Sequence, residues 1–293
     1  MAAHNADPRQ GLRVGDIALG VLPFYHAAGL VVNLHYFFFI GLSIVVVEKY
    51  DFPSMLNTIA RFQITTLILV PPQAVSFCKH PAVRASLLGS VKYVIVGAAP
   101  VPRGLQRSLY EVFPDAQIGQ AYGTTEATCT IAMLCSTRKH PVGSVGSLLP
   151  GIEAKVCKAD GSLAGEGETG ELYVKSLSTA LGYLNDDGAQ ETFKDGGWVR
   201  TGDQVSMTNN GEIFVHDRLK DFIKVRGFGV APAELEDCLL QHPHVVDACV
   251  IGVPDEYSAP LRFAVVPEAK QITQAVRCVL VPKGLGKILI ALC

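Results

Sequence analysis

The sequence contains no CxxC pair. Its eight cysteines, at 78, 129, 135, 157, 238, 249, 278 and 293, show no Cys/His spacing of the zinc-site kind; they are expected to be buried free thiols in a reducing compartment. Charge is scarce too. Charged residues make up 18% of the chain and the formal net charge is -2, which leaves no basic stripe to favour nucleic acid or an anionic membrane surface. Residues 1–15 carry Asp7, Arg9 and Arg13 but no basic segment leading into an apolar one, so export is not expected. Neither an internal repeat nor a low-complexity tract is visible.

What is present is apolar: 49% of 293 residues are hydrophobic, enough for an ample core in one large domain plus a smaller one. Residues 27–47 pass without a charge, long enough for a membrane span. Asn33, His35, Gly41 and Ser43 interrupt the run, however, and its charged flanks are weak. The pattern favours a buried helix, a break at Gly41 and a buried β-branched strand of a parallel sheet through residues 44–47. From Val21 onward short apolar strands alternate with amphipathic stretches: strands at 43–47, 66–70 and 93–96, helices at 52–62, near 75–79 and at 102–113. That alternation implies parallel βαβ packing with ligands gathered where strands end.

After Pro141 turn signals multiply, and 170–174 and 211–215 alternate at period two as half-buried strands do. Past Arg218 a charged run, a strand at 222–225, a helix at 232–241 and a strand at 248–252 describe a small α+β domain. The expected fold class is therefore α/β: a partial large domain with a parallel βαβ sheet and a β-rich subregion over residues 1–217, then a small mobile α+β domain over 218–293. The charged run provides the hinge.

The stretch with the most chemistry is Gln120-Ala121-Tyr122-Gly123-Thr124-Thr125-Glu126. A turn containing glycine lets backbone N–H groups approach phosphate oxygens, hydroxyls donate to the same oxygens, and a carboxylate holds the accompanying Mg²⁺. Taken alone, such a run also suits a plain strand-to-loop turn.

Five motifs in order narrow the choice: Leu22-Pro23-Phe24-Tyr25-His26, Gly97-Ala98-Ala99-Pro100, Tyr122 to Glu126, Arg200-Thr201-Gly202-Asp203 and Gly211 to Glu236. Together they resemble the adenylate-forming (AMP-binding) enzymes, in the branch of 4-coumarate:CoA ligase and firefly luciferase. The resemblance implies an AMP-forming acid–thiol ligase. It would activate a carboxylic acid with ATP and Mg²⁺ to an acyl-adenylate, then transfer the acyl group to CoA, on an aromatic or medium-chain acid.

Roles follow from the same resemblance. Tyr122 would stack on adenine, with Ala98, Gln120, Ala121, Gly123 and Thr124 around the nucleotide; Thr125 would hold phosphate and Glu126 the metal. Asp203, at the end of a strand, would accept from the ribose hydroxyls, with Arg218 beside it and Lys220 as the hinge position. His26, Ala98 and Met133 would line the acyl pocket. Lys224, Arg226 and Gly227 would face the adenylate and CoA, Lys49 the CoA phosphates, and Lys287 would be the adenylation lysine.

The chain departs from the family in one respect that matters. The family's Gly-rich phosphate loop with its lysine should precede the Leu22–His26 motif, and no such run occurs among the residues before it. Its loss bears on adenylation more than on binding of AMP or acyl-adenylate. Two readings stay open, a truncated ligase and a catalytically impaired remnant that binds a nucleotide or a partner without turnover. No membrane span and no nucleic-acid partner are expected. The end at Leu292-Cys293 shows no Ser-Lys-Leu tail, so the expected compartment is the cytoplasm, with the peroxisome as the alternative.

Overall fold

The structure is a computed structural model that describes residues 11–99, 101–134, 141–184, 191–219, 223–225, 228–230, 232, 236, 245–252, 261–267 and 289–292. The chain divides into two compact units, Met1–Thr201 with Val205–Val215, and Gly202–Gln204 with His216–Cys293. A seven-stranded sheet forms the frame of the first. Strands β1 (Ile17–Gly20), β2 (Ser43–Val46), β3 (Thr66–Leu69), β4 (Tyr93–Gly97) and β5 (Gln117–Tyr122) lie parallel in the order β2-β1-β3-β4-β5. Two short antiparallel strands, β6 (Ala132–Met133) and β7 (Ser147–Leu148), extend it.

Local sequence explains the helices that cover this sheet. Helix α2 (Phe52–Phe62) is capped by Asp51, whose carboxylate accepts from Ser54 N–H at 2.9 Å, and it ends at Gln63 in the left-handed region. Its apolar residues Phe52, Met55, Leu56 and Ile59 fall on one face and are buried. Helix α3 (Pro71–Lys79) begins earlier than the expected 75–79, because Pro71 and Pro72 suit a first turn that has no N–H partners to lose. Helix α4 (Ala85–Leu88) is one turn. Helix α5 (Arg103–Val112) buries Leu109. These helices and one sheet face enclose Leu19, Met55, Ile59, Leu67, Phe77, Val94 and Val96; each fully buried large side chain contributes about 1.5–3 kcal/mol.

Residues 27–47 take neither a membrane-spanning nor a simple α-helical course. A nine-residue π-helix, Ala28–Tyr36, runs into the single turn α1 (Phe37–Phe39), and Gly41, at φ +80°, ends it. No helix among the described residues is long and apolar enough to cross a membrane. The π-helix lies on the opposite sheet face, where Ala18, Leu22, Val32, Phe37, Leu42 and Ile68 cluster. Here the expected buried strand at 44–47 needs correction: β2 is the edge of the sheet, with Val46 58% exposed, since among the described strands only β1 pairs with it. Strand β1 itself was not foreseen, being four residues long and ending in glycine.

A second, five-stranded sheet contains β8 (Glu153–Cys157), β9 (Thr169–Lys175), β10 (Phe193–Lys194), β11 (Trp198–Met207) and β12 (Ile213–Arg218), ordered β10-β11-β9-β8 with β12 on β11. Period-two alternation in β9 holds only in part. Leu172 and Val174 are buried and Tyr173 half-buried, but Glu171 is buried as well because Arg200 Nε donates to its carboxylate at 2.7 Å. The inner face, with Val156, Leu172, Val174, Val199, Val205 and Ile213, packs on Ala127, Ile131 and Ala132.

The second unit contains the hairpin β13 (Ile223–Val225) and β14 (Phe228–Val230), and a three-stranded sheet of β15 (Val245–Gly252), β16 (Leu261–Pro267) and β17 (Leu289–Leu292). Pro232 and Glu236 are helical, and Glu236 accepts from Val250 N–H at 2.9 Å; the remainder of the expected helix at 232–241 lies outside the described residues. Cys78, Cys129 and Cys157 are free as expected. They are half-buried rather than buried. Cys78 and Cys129 sit at the rims of apolar clusters, where burial pushes the Cys78 thiol up to about 11.

Candidate functional site

Because β1 to β5 are parallel, the segments that follow them leave the sheet at one edge. That edge gathers much of what the sequence singled out. Ala98 follows β4, and the register Val96↔Gln120 and Gly97↔Ala121 sets it beside β5. Met133 pairs with Ala121, and Ala132 with Tyr122. His26 follows β1, and Lys49 follows β2. Since β1 and β5 are three strand positions apart, about 14 Å separates their ends. Ala98, Gln120, Ala121, Tyr122 and Met133 are therefore immediate neighbours, whereas His26 and Lys49 share the edge at a distance.

The chain order 2-1-3 reverses direction in the sheet between β1 and β3, so the segments after these strands diverge and open a crevice. His26 lies in the segment that follows β1. The side chain is exposed, and its Nδ1 accepts from Ala28 N–H at 3.1 Å, at the start of the π-helix. With Nδ1 an acceptor, a neutral imidazole carries its proton on Nε2, the tautomer suited to donating to a carboxylate. Ala98 has φ +71°, an unusual conformation for a residue with a Cβ, and one that costs about 1 kcal/mol or more.

Beyond Tyr122 the chain folds back on itself within a few residues. Thr125–Ala127 form one 3₁₀ turn, and Thr128 and Cys129 take positive φ. Thr124 C=O accepts from Cys129 N–H at 2.9 Å, and Tyr122 C=O from Ile131 N–H at 2.8 Å. Gly123 is needed for a reason the sequence did not suggest. A Cβ there would lie 1.4 Å from the Cys129 carbonyl oxygen, so the vacant volume accommodates the returning chain and not a phosphate.

Thr124 is the residue whose chemistry is incomplete. It is 8% exposed, and among the described residues its Oγ1 has no hydrogen-bond partner. A buried hydroxyl in that state costs about 1–3 kcal/mol, a cost that a ligand oxygen would relieve. Glu126, on the 3₁₀ turn, accepts a hydrogen bond from the Tyr183 phenol on Oε1. Carboxylate and hydroxyl oxygens are hard donors of the kind Mg²⁺ and its phosphates take, so this donor set fits a metal–nucleotide. Tyr183 escaped sequence reasoning, because it sits in a segment of serines and leucines with neither helical nor strand period.

In the second unit Asp203 is 3% exposed and pairs with the more exposed Arg218, Nε to Oδ1 at 3.3 Å. Asp203 lies inside the ten-residue strand β11 and not at its end as expected, since the pairing in this sheet continues past it. Leu219 N–H donates to Gly202 C=O at 2.8 Å and keeps the two segments together. Lys224 is central in β13, its backbone opposite Gly229. Lys220, Arg226, Gly227 and Lys287 lie outside the described residues.

A parallel α/β sheet with a hydroxyl- and carboxylate-bearing turn at its carboxyl edge is the architecture of a nucleotide-binding enzyme. The chain belongs to the AMP-binding enzyme family, whose sequence pattern matches residues 1–184, with the C-terminal domain pattern of AMP-binding enzymes matching 234–289. It is 36% identical over 267 residues to 4-coumarate--CoA ligase 3 of Oryza sativa subsp. japonica, covering 88% of this chain and 48% of that one. It is 37% identical to the acyl-CoA ligase easD of Emericella nidulans, over 88% of this chain and 47% of the relative. Among solved structures, ATP-bound MatB from Rhodopseudomonas palustris superposes with a TM-score of 0.83 at 27% identity, covering 94% of this chain and 56% of that one. The chain thus spans about half the length of the curated relatives it matches.

Proposed function

We propose that this chain carries the nucleotide- and acyl-binding part of an ATP-dependent carboxylic acid:CoA ligase, which forms an acyl-adenylate and then an acyl-CoA thioester on an aromatic or medium-chain acid. The observation that carries this reading is the buried Thr124 hydroxyl with no partner among the described residues, two positions from the carboxylate of Glu126. The family and the names of the relatives support it.

In this reading Thr124 and Thr125 donate to the phosphates, and Tyr122 with Gln120, Ala121, Gly123 and Ala98 encloses the adenosine. Mg²⁺, when bound by Glu126, would neutralise phosphate charge as pyrophosphate departs. His26, through Nε2–H, orients the acid's carboxylate over a pocket shared with Ala98 and Met133. Asp203 accepts from the ribose hydroxyls. Arg218, paired with that carboxylate, holds it in place. We assign domains 1–217 and 218–293, with Lys220 at the hinge; Lys224, Arg226, Gly227 and Lys49 serve CoA, and Lys287 serves adenylation.

Pyrophosphate release from the folded chain with ATP, Mg²⁺ and a panel of aromatic and fatty acids tests this. The expected result is acid-dependent release above a Lys287→Ala control. Nucleotide binding with no release above that control would assign the chain a binding role without turnover, and absence of both would refute the reading.

A further inference from the structure

The segment from Ser176 to Tyr183 is strapped to the turn that carries Glu126. Ala180 N–H donates to Glu126 C=O at 2.8 Å, Thr128 Oγ1 donates to Ser178 C=O, and Ser178 Oγ donates to Ala127 C=O at 3.3 Å. The strap is itself braced, by Ser176 Oγ to Ser178 Oγ at 2.7 Å and by Ser176 N–H to Thr179 Oγ1 at 3.3 Å. At its far end the Tyr183 ring packs edge-on against Phe193, centroids 5.4 Å apart at 72°, and from that anchor its phenol donates to Glu126 Oε1. Both backbone and side chain of Glu126 are therefore held by a segment more than fifty positions away in sequence.

We propose that Tyr183 is a positioning residue for the metal-holding carboxylate of Glu126. The inference rests on the nucleotide reading above. An ionised carboxylate has about four lone-pair sites, so one phenolic O–H leaves ligation open while it removes rotation about the last side-chain bond. Loss of the phenolic O–H removes one of the contacts that hold this carboxylate, so more of its order must be gained at the moment of binding, which lowers metal affinity. The Phe193 contact matters for the same reason, since it fixes the ring from which the O–H reaches.

The test is Tyr183→Phe, which keeps the ring and its packing on Phe193 and removes only the O–H. Mn²⁺ binding, read by electron paramagnetic resonance with the α,β-methylene analogue of ATP in excess, is expected to weaken about tenfold. AMP affinity measured without metal is expected to stay unchanged, as a general loss of structure would not allow. Hydrogen exchange at 125–128 in the ligand-free chain is expected to quicken. Unaltered Mn²⁺ affinity in the variant, beside a wild type that binds the Mn²⁺–nucleotide, would overturn this inference alone. A wild type that binds neither AMP nor the Mn²⁺–nucleotide would overturn both it and the function it rests on.

Discussion

Thr124→Val separates a residue kept for a ligand from one kept for the fold, because the two roles predict opposite signs. Valine reproduces the shape of threonine and replaces the hydroxyl by a methyl group. At a site 8% exposed, where Oγ1 has no partner among the described residues, the hydroxyl loses hydration on folding and gains nothing in return, a penalty of about 1–3 kcal/mol. Its removal should stabilise the ligand-free chain by about 1 kcal/mol, after allowance for relaxation around the new methyl group. For a unit of this size that is a rise of about 2–4 °C in Tm. Binding should change the other way. A hydrogen bond to a charged phosphate oxygen contributes about 1.5–3 kcal/mol, so AMP affinity by calorimetry should fall about ten- to a hundredfold. A variant that is less stable than the wild type, or that binds AMP equally well, would refute the reasoning.

Other perturbations test the frame around the site. Gly123→Ala places a Cβ 1.4 Å from the Cys129 carbonyl, and since the obstacle is backbone the turn must open; a loss of about 3 kcal/mol or more in urea unfolding is expected. Met55→Ala, at a fully buried position of α2, should cost about 2–5 kcal/mol. The hydrogen bonds from Ser54 hold the Asp51 carboxyl below its ordinary pKa. A depressed folded pKa means that the stabilisation is complete above the unfolded value near 4 and fades as pH falls through the folded one. Asp51→Asn keeps a capping side chain and should flatten that part of the acid-unfolding profile. Burial pushes the Cys78 thiol up to about 11, so at pH 8 about one molecule in a thousand carries its thiolate, and Ellman's reagent should label Cys78 far more slowly than a free cysteine; fast labelling would contradict the burial.

Much of the frame was legible because its signals are local. Apolar spacing at 52, 55, 56 and 59 with Asp51 ahead of it defines α2 to the residue, and short apolar runs mark β3 and β4. The π-helix was not legible, since its residues are mostly apolar and no periodic pattern distinguishes it from an ordinary buried helix. Strand β2 illustrates another limit: Ile44, Val45 and Val46 read as interior, but which strand ends a sheet depends on chain order across the whole layer. At the candidate site, residue types singled out the Gln120–Glu126 run, and only the resemblance to the family gave it a role. Its two structural facts were not legible. The contact of Gly123 with Cys129 and the hold of Tyr183 on Glu126 both depend on chain reversals that side-chain chemistry does not announce.

The claim that the turn after β5 is one wall of a nucleotide site is tested most directly by photolabelling with 8-azido-AMP followed by peptide mapping. The account predicts saturable label on the peptide spanning residues 117–134, competed by unlabelled AMP and reduced in Thr124→Val. Label confined to other peptides, or unaffected by AMP, would contradict it.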